Sequence, residues 1–186
     1  MSLEPSSPQQ FPDEVRSRGF EWSKLTQVYM ALLVQRLLFY FIKYQGPADL
    51  MTTRWLHPIL DVGQVSGLVG GIVVGLVWLY RAWSKLPPEH RKSWNGRDVD
   101  PSSAAIRILF PVYNLYWIFV ANVGLAMAIE RHRQSIGRPL TKPLTNFAIA
   151  CCIVQLIPLA NLVVSPFLWA VLMARVDAAQ TAAETR

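Results

Sequence analysis

Histidine and carboxylate side chains near the ends of two apolar segments are the first residues that could do chemistry. His57 and Asp61 are four residues apart and would share a helix face, while Glu130 and His132 lie two apart. Imidazole and carboxylate groups bind divalent transition metals. Residues two apart do not share a helix face, so Glu130 and His132 are poorly placed to hold one ion. We therefore predict no metal site and no cofactor, and interpret these side chains as helix caps and interfacial polar residues.

Two adjacent cysteines, Cys151 and Cys152, lie inside an apolar run. Adjacent cysteines close a disulfide only with strained geometry, and free cysteine packs well as a small apolar residue. The sequence contains no nucleophile–base pairing or metal-ligand spacing that would indicate catalysis. We predict no catalytic residues, and an enzyme acting on lipid ranks behind non-enzymatic functions.

A single arginine, Arg36, lies near the middle of the first apolar segment. A charge at the centre of a bilayer costs about 2.5–3.5 kcal/mol on insertion scales, so Arg36 needs a partner. Asp61 begins the second apolar run, and one interpretation is an Arg36–Asp61 ion pair between the first two helices. The alternative is an arginine that extends to the interface or meets water inside the protein.

Long runs without charge indicate the elements that carry these residues. The chain has 186 residues, of which 52% are hydrophobic and 16% charged, whereas a soluble domain carries about a quarter charged residues. Three charge-free runs each reach the roughly 18 residues of a transmembrane candidate; they are residues 62–80, 108–129 and 143–174. With the first apolar segment, Lys24–Gln45, they predict an all-α membrane protein with about four transmembrane helices.

The polar ends and the basic connectors complete this organisation. We predict a disordered tail at 1–24, a helical membrane domain at 25–178 and a polar tail at 179–186. The net charge of +6 lies between the apolar runs, where it would meet anionic lipid head groups, and no nucleic-acid partner is predicted. The distribution of Lys and Arg favours cytoplasmic termini, although the basic connector from Arg131 to Lys142 would then lie outside.

The pattern Pro-x-x-Asn-Leu occurs twice inside apolar runs, at Pro111 with Asn114 and at Pro158 with Asn161. Proline interrupts a helix, and asparagine is a good N-cap residue. We predict that both prolines break a helix and that both asparagines cap the helix that follows. Ser165 and Pro166 offer a further helix start in the second copy.

The two copies form a weak internal repeat, in which Glu130 aligns with Asp177 when Pro111 is placed on Pro158. As single passes the copies would run in opposite directions, and inverted repeats with broken helices are typical of transporters. The fourth segment, however, has about 30 residues, or roughly 45 Å of helix, which exceeds a hydrocarbon core of about 30 Å. It must therefore tilt, kink or form a hairpin.

Glycines form a regular stripe in the second segment, at positions four residues apart. They are Gly63, Gly67, Gly71 and Gly75. Small residues at this spacing allow two helix backbones to approach closely. We predict that the stripe packs against a helix, either in the same chain or in another.

The stretch from Trp83 to Pro87 and the following "FPVYNLYWIF" resemble a group of small bacterial multi-pass membrane proteins. The group shares Trp-x-x-Leu/Ile-Pro followed by Phe-x-Pro-x-x-Asn-Leu-Tyr-Trp-Ile-Phe, although this chain has Leu-Phe-Pro where the group often has Phe-Ile-Pro. The resemblance covers roughly Trp78 to Pro166. It implies a location in the bacterial inner membrane, and it implies no activity.

The leading hypothesis is an integral membrane protein that acts through helix packing with itself or with partner membrane proteins. The alternative is a small transporter or oligomeric channel, in which broken helices line the path and Arg36 faces it.

Overall fold

The computed structural model describes residues 23–46 and 55–184, and within these ranges the chain is helical with no strand. The predicted tail at 1–24 lies outside these ranges except for its last two residues. The helices are α1 (Lys24–Gln45), α2 (Leu56–Ser84), α3 (Pro101–Ile106), α4 (Pro111–Ile118), α5 (Gly124–Ser135), α6 (Leu144–Leu156) and α7 (Pro158–Glu184). A 3₁₀ turn, Arg107–Leu109, extends α3, and a π-helical turn, Phe119–Val123, joins α4 to α5 without a break.

Three helices among the described residues are long and apolar enough to cross a membrane, namely Lys24–Gln45, Leu56–Ser84 and Pro111–Ser135. The chain therefore has the helical and apolar character of a membrane protein. The first apolar run after Pro143 is a shorter helix, α6, because that segment divides at Ile157. The count of candidate spans is thus three, where the sequence predicted about four.

Helix α1 begins at Ser23, whose hydroxyl accepts a hydrogen bond from the backbone N–H of Thr26 at 3.3 Å, an ordinary N-cap. Helices α1 and α2 then pack as an antiparallel pair, with Gly67 directly against Arg36. This register brings Asp61 beside Lys43, and these two side chains form a salt bridge. The predicted Arg36–Asp61 pair is therefore wrong, because Asp61 lies nearly two turns from the glycine that faces Arg36.

The chain reverses direction by the same turn at two places. Phe110 has φ −85° and ψ 111°, and Ile157 has φ −89° and ψ 112°. In each case the next residue is the proline that begins a helix, where its missing N–H costs no hydrogen bond. The local geometry of the two Pro-x-x-Asn-Leu copies is therefore the same.

Both turns join antiparallel helices. Trp117 of α4 donates its indole N–H to the carbonyl of Ala104 in α3 at 3.2 Å, and the Cys151 thiol of α6 lies 3.8 Å from the carbonyl oxygen of Leu168 in α7. We call α3 to α5 the first hairpin and α6 to α7 the second hairpin. Of the three conformations left open for the fourth segment, the structure has the hairpin.

Asn114 and Asn161 do not cap these helices. The backbone N–H of each donates to the carbonyl of the residue before the proline, Phe110 or Ile157, at 2.7 Å. The predicted capping role is wrong because proline occupies the first helical position, so the capping position falls on the preceding residue. Each asparagine lies one turn inside its helix.

Helix α7 continues through two positions where the sequence predicted a boundary. Pro166 lies inside the helix and does not restart it. Beyond residue 178, where a polar tail was predicted, the helix continues to Glu184 and buries Ala179 and Gln180. This last part packs against the end of α2, since the Gln180 amide donates to the carbonyl of Ala82 at 2.7 Å.

The start of α1, the end of α2 and the end of α7 meet at one end of the molecule, which we call the basal end. Asp177 of α7 joins the three helices there, because it accepts hydrogen bonds from the indole N–H of Trp78 at 2.9 Å and from the hydroxyl of Thr26 at 3.2 Å. Trp78 and the neighbouring Trp83 are 2% and 0% exposed, so the apolar core lies just beneath this end.

Both basic connectors also lie at the basal end. The rings of His90 and His132 are 5.0 Å apart, and Arg131 donates to the carbonyl of Lys92. The sequence placed these connectors on opposite sides of a membrane. That expectation is wrong because each hairpin enters and returns at the basal end, so the two copies of the repeat run parallel and not inverted.

Candidate functional site

A cavity of about 450 Å³ lies where the tips of both hairpins meet the α1–α2 pair. Arg36, which lines it, is 12 residues from the start of α1, so the cavity lies about 18 Å along that helix. Beyond this level α1 continues to Gln45. The cavity is therefore partway along two helices that are apolar enough to span a membrane.

The hairpins contribute equivalent positions to the cavity wall. Three residues of the first hairpin line it, and each has a lining partner 47 residues later, the separation of Pro111 from Pro158. The pairs are Ile108 with Gln155, Asn114 with Asn161, and Ile118 with Ser165. The internal repeat thus produces a two-sided wall, and the second hairpin is polar at all three positions.

Three polar atoms around this cavity are buried and have no hydrogen-bond partner among the described residues. They are Asn114 Oδ1, Gln155 Oε1 and Trp169 Nε1. A buried polar atom without a partner costs about 1–3 kcal/mol, so a rotation of these side chains toward a bound molecule that offers hydrogen bonds would be favourable. The orientation of an Asn or Gln amide is an assignment, and a rotated amide presents its NH₂ group instead.

The glycine stripe forms the α2 side of the cavity and the contact with α1. A Cβ atom at Gly67 would lie 2.9 Å from Arg36 Cβ and 3.0 Å from the carbonyl oxygen of Leu32. At Gly71 the nearest atom would be Tyr29 Cε2, at an ordinary 3.8 Å. Gly67 is therefore needed for helix contact, whereas Gly71 leaves space open. The stripe packs inside the chain, a point that the sequence left undecided.

The remaining two glycines of the stripe have different neighbours. Gly63 faces the ring of Phe39, on the side of the cavity away from the basal end, and Gly75 faces the indole of Trp169 with a hypothetical Cβ 3.1 Å from the ring. Gly75, Gly71 and Gly67 line the cavity and Gly63 does not.

No protein-family model, curated protein or solved structure matches this chain.

The structure unites residues that the sequence selected for unrelated reasons. The cavity lining includes the arginine of α1, three glycines of α2 and both asparagines of the repeated motif; they are Arg36, Gly67, Gly71, Gly75, Asn114 and Asn161. It also includes Pro158, but not Pro111. Asp61 is elsewhere, paired with Lys43.

Sequence reasoning missed Tyr29, Gln155, Ser165 and Trp169, which also line the cavity. A signal for two of them was present, because Gln155 and Ser165 are polar residues inside a charge-free run, three before and seven after Pro158. Their spacing about the proline becomes meaningful only once the hairpin is known.

The candidate metal ligands do not come together. Glu130 accepts hydrogen bonds from the backbone N–H and hydroxyl of Thr145, at 2.8 and 3.0 Å, and so fixes the first turn of α6. His132 is beside His90 at the basal end, while Asp61 is at the opposite end of the α1–α2 pair. Within the residues that the structure describes, no three His, Cys, Asp or Glu side chains are grouped as metal ligands would be.

Proposed function

We propose that this protein is an integral membrane protein that binds an amphiphilic molecule in the cavity between the α1–α2 pair and the hairpin tips. The observation that supports this proposal is the convergence of polar side chains from both helices of the second hairpin, from α4 and from α1 on one cavity. Ligand sites are typically about 300–1,000 Å³, mostly apolar, with a few polar groups that fix orientation. This cavity has that size and that composition.

Binding is favoured over the sequence hypothesis of action through helix packing. The glycine stripe was the strongest candidate for a packing surface, and its neighbours are residues of α1 and α7 in the same chain. The side-chain oxygens of Asn114 and Gln155 have no hydrogen-bond partner among the described residues. Leucine at Asn114 or Gln155 would suit an apolar helix tip better, because it would leave no polar atom buried and unpaired.

A cavity-filling substitution tests the binding proposal. Gly71→Leu should extend a side chain into the open space, whereas Val73→Leu, on the exposed side of the same helix, should leave the cavity unchanged. Purified protein in micelles should bind tritiated dodecanol or tritiated dodecanoate saturably, at about one molecule per chain. Binding should be lost in Gly71→Leu and kept in Val73→Leu. Saturable binding that is equal in both variants would place the ligand elsewhere and refute the proposal.

We further propose that the basal end faces the cytoplasm of a bacterial cell. The basic residues of both connectors and of the adjoining helix ends are grouped there; they are Lys24, Arg81, Lys85, Arg91, Lys92, Arg97, Arg131, Arg133, Arg138 and Lys142. Lys43 is at the opposite end. Short cytoplasmic segments carry an excess of Lys and Arg. The sequence alone had left the connector from Arg131 to Lys142 on the outer side, but in the hairpin arrangement it lies at the basal end with the other basic connector.

Cysteine labelling tests this orientation. Single cysteines at Gln45 and Trp55 should react with a membrane-impermeant maleimide in intact spheroplasts. Cysteines at Trp94 and Ile136, two exposed basal positions, should react only after permeabilisation. The native Cys151 and Cys152 are buried and give little background. Labelling of Ile136 in intact spheroplasts, with Trp94 protected, would show that the connectors lie on opposite sides and that the hairpins are not formed in the cell.

A further inference from the structure

We infer that the amphiphile is a monoanion, a carboxylate on a single alkyl chain, and that Arg36 binds its head group. This inference rests on the proposed function of the cavity and adds the chemical class of the ligand.

Charge is the first argument. Arg36 is the one charged residue among the cavity-lining residues, which include no Asp or Glu. Asp61 is the carboxylate of α2 on the side of the cavity away from the basal end, and it pairs with Lys43. A guanidinium group at this depth favours an anion because the surroundings are apolar and a charge without a counter-charge is costly there. One positive charge is matched by one negative charge, so a monoanion fits better than a doubly charged phosphate monoester.

The guanidinium group of Arg36 fits a planar carboxylate. A guanidinium group can donate two parallel hydrogen bonds to a carboxylate, which a lysine cannot do. The indole N–H of Trp169 is buried and has no described partner, and because this side chain lines the cavity, a rotation of the ring would present one more donor there. The amides of Asn114 and Gln155 can rotate to present either an oxygen or an NH₂ group, so they can serve the head group and the waters that accompany it.

The apolar wall argues for an alkyl chain. Leu33, Leu68, Ile72 and Leu76 line the α1 and α2 sides of the cavity. Leu68 and Ile72 are also 42% and 47% exposed, so the cavity is open to the surface of the bundle beside α2. In a bilayer crossed by α1 and α2, the surroundings at this level of the helix pair would be lipid hydrocarbon, which a chain could enter while its head stays at Arg36. A small soluble anion would leave this apolar wall unused.

The experiment compares two probes that share a chain and differ in charge. Tritiated dodecanoate and tritiated dodecanol are titrated, above the pKa of the carboxylic acid, against the purified protein and two variants with the same change in charge. Arg36→Gln removes the proposed anchor. Lys43→Gln lies seven residues away on the same helix and outside the cavity lining. Folding of each variant is checked by its elution volume and unfolding temperature.

Dodecanoate should bind about 10- to 100-fold more tightly than dodecanol to the wild type and to Lys43→Gln, the range for a charge-assisted pair. The preference should disappear in Arg36→Gln. If that variant does not fold, Arg36→Lys should show a reduced preference, because it keeps the charge and loses the paired donors. A full preference in Arg36→Gln, or in Arg36→Lys where only that variant folds, would refute the role of Arg36.

Competitors and the neutral probe separate the remaining outcomes. Unlabelled dodecanoate should displace the labelled probe, while acetate and inorganic phosphate at the same concentration should not. Displacement by acetate or phosphate would show that the site takes a small soluble anion and would overturn the lipid-like ligand. Equal binding of dodecanol and dodecanoate to the wild type would overturn this inference and leave the proposed cavity function standing. Saturable binding of neither probe would overturn both.

Discussion

Two glycines on one helix face should respond in opposite ways to the same substitution. Gly67→Ala adds a Cβ atom within 3.0 Å of the Leu32 carbonyl oxygen and 2.9 Å of Arg36 Cβ, and both atoms belong to or adjoin the backbone of α1. Gly71→Ala adds the same atom at 3.8 Å from Tyr29 Cε2, which is ordinary contact. The helix backbones must move apart in the first variant, and nothing must move in the second.

The magnitude follows from comparing the two variants with each other. Alanine is favoured over glycine inside a helix by about 0.8–1 kcal/mol, and this gain is common to both positions. Overpacking costs about 1–3 kcal/mol and applies to Gly67 alone. The two variants should therefore differ by about 1–3 kcal/mol in the free energy of unfolding. For a chain of this size that is roughly 2–12 °C in unfolding temperature, with Gly71→Ala at or above the wild type.

Tryptophan fluorescence during heating in one detergent measures this difference, and elution volume shows whether the oligomeric state is unchanged. The shared helix-propensity term makes Gly71→Ala the control for Gly67→Ala. If the two variants unfold at the same temperature, Gly67 is not the point of closest approach between α1 and α2. The register that pairs Lys43 with Asp61 would then also be in doubt, because it depends on that contact.

Two further predictions concern the basal end and the start of the first hairpin. Asp177→Ala should lower the unfolding free energy by about 1–3 kcal/mol because it leaves the buried Trp78 N–H without its acceptor; Asp177→Asn, which keeps an acceptor, should cost less, and equal costs would contradict the hydrogen-bond argument. Asp100 caps α3, and hydrogen bonds from the Ser102 hydroxyl and the Ser103 N–H lower the pKa of its carboxyl group. The stability contributed by the Asp100 carboxylate should thus be present above about pH 4, the pKa of the carboxyl group in the unfolded chain, and should be lost as the pH falls below that pKa. The difference in unfolding temperature between wild type and Asp100→Asn should therefore shrink in acid. A difference that does not change between pH 7 and pH 3 would show that the charge plays no part.

Hydropathy and proline placement predict the helices well and their topology poorly. Residues 108–129 read as one transmembrane pass because a charge-free run of that length looks the same whether it crosses alone or forms part of a hairpin. The deciding feature is the extended backbone at Phe110 and Ile157, which neither residue type specifies. Proline permits that turn at the residue before it, but it permits a kink equally well.

The sequence also could not predict which residue of α1 would pair with Asp61 of α2. Arg36 and Lys43 lie on the same face of α1, two turns apart, so Asp61 could have paired with either. The pairing depends on the offset of α2 along the axis of α1, and the close contact at Gly67 sets that offset. The glycine spacing predicted that a close contact would exist. It could not predict which turn of α1 would lie opposite which glycine.

Three positions where this sequence departs from what stability alone would favour lie at one cavity. An apolar helix pair is more stable without Arg36, and the two hairpin tips are more stable without the unpaired amides of Asn114 and Gln155. These residues come from separate parts of the chain, and folding brings all three to one cavity. Residues that lower the stability of the fold and make no compensating contact are expected at functional sites. Other described residues also carry buried polar atoms without a partner; they are Gln64, Ser93, Asn122, His132 and Gln180. What distinguishes this cavity is that two such amides accompany Arg36 beside an open space of about 450 Å³, and this combination favours a binding site.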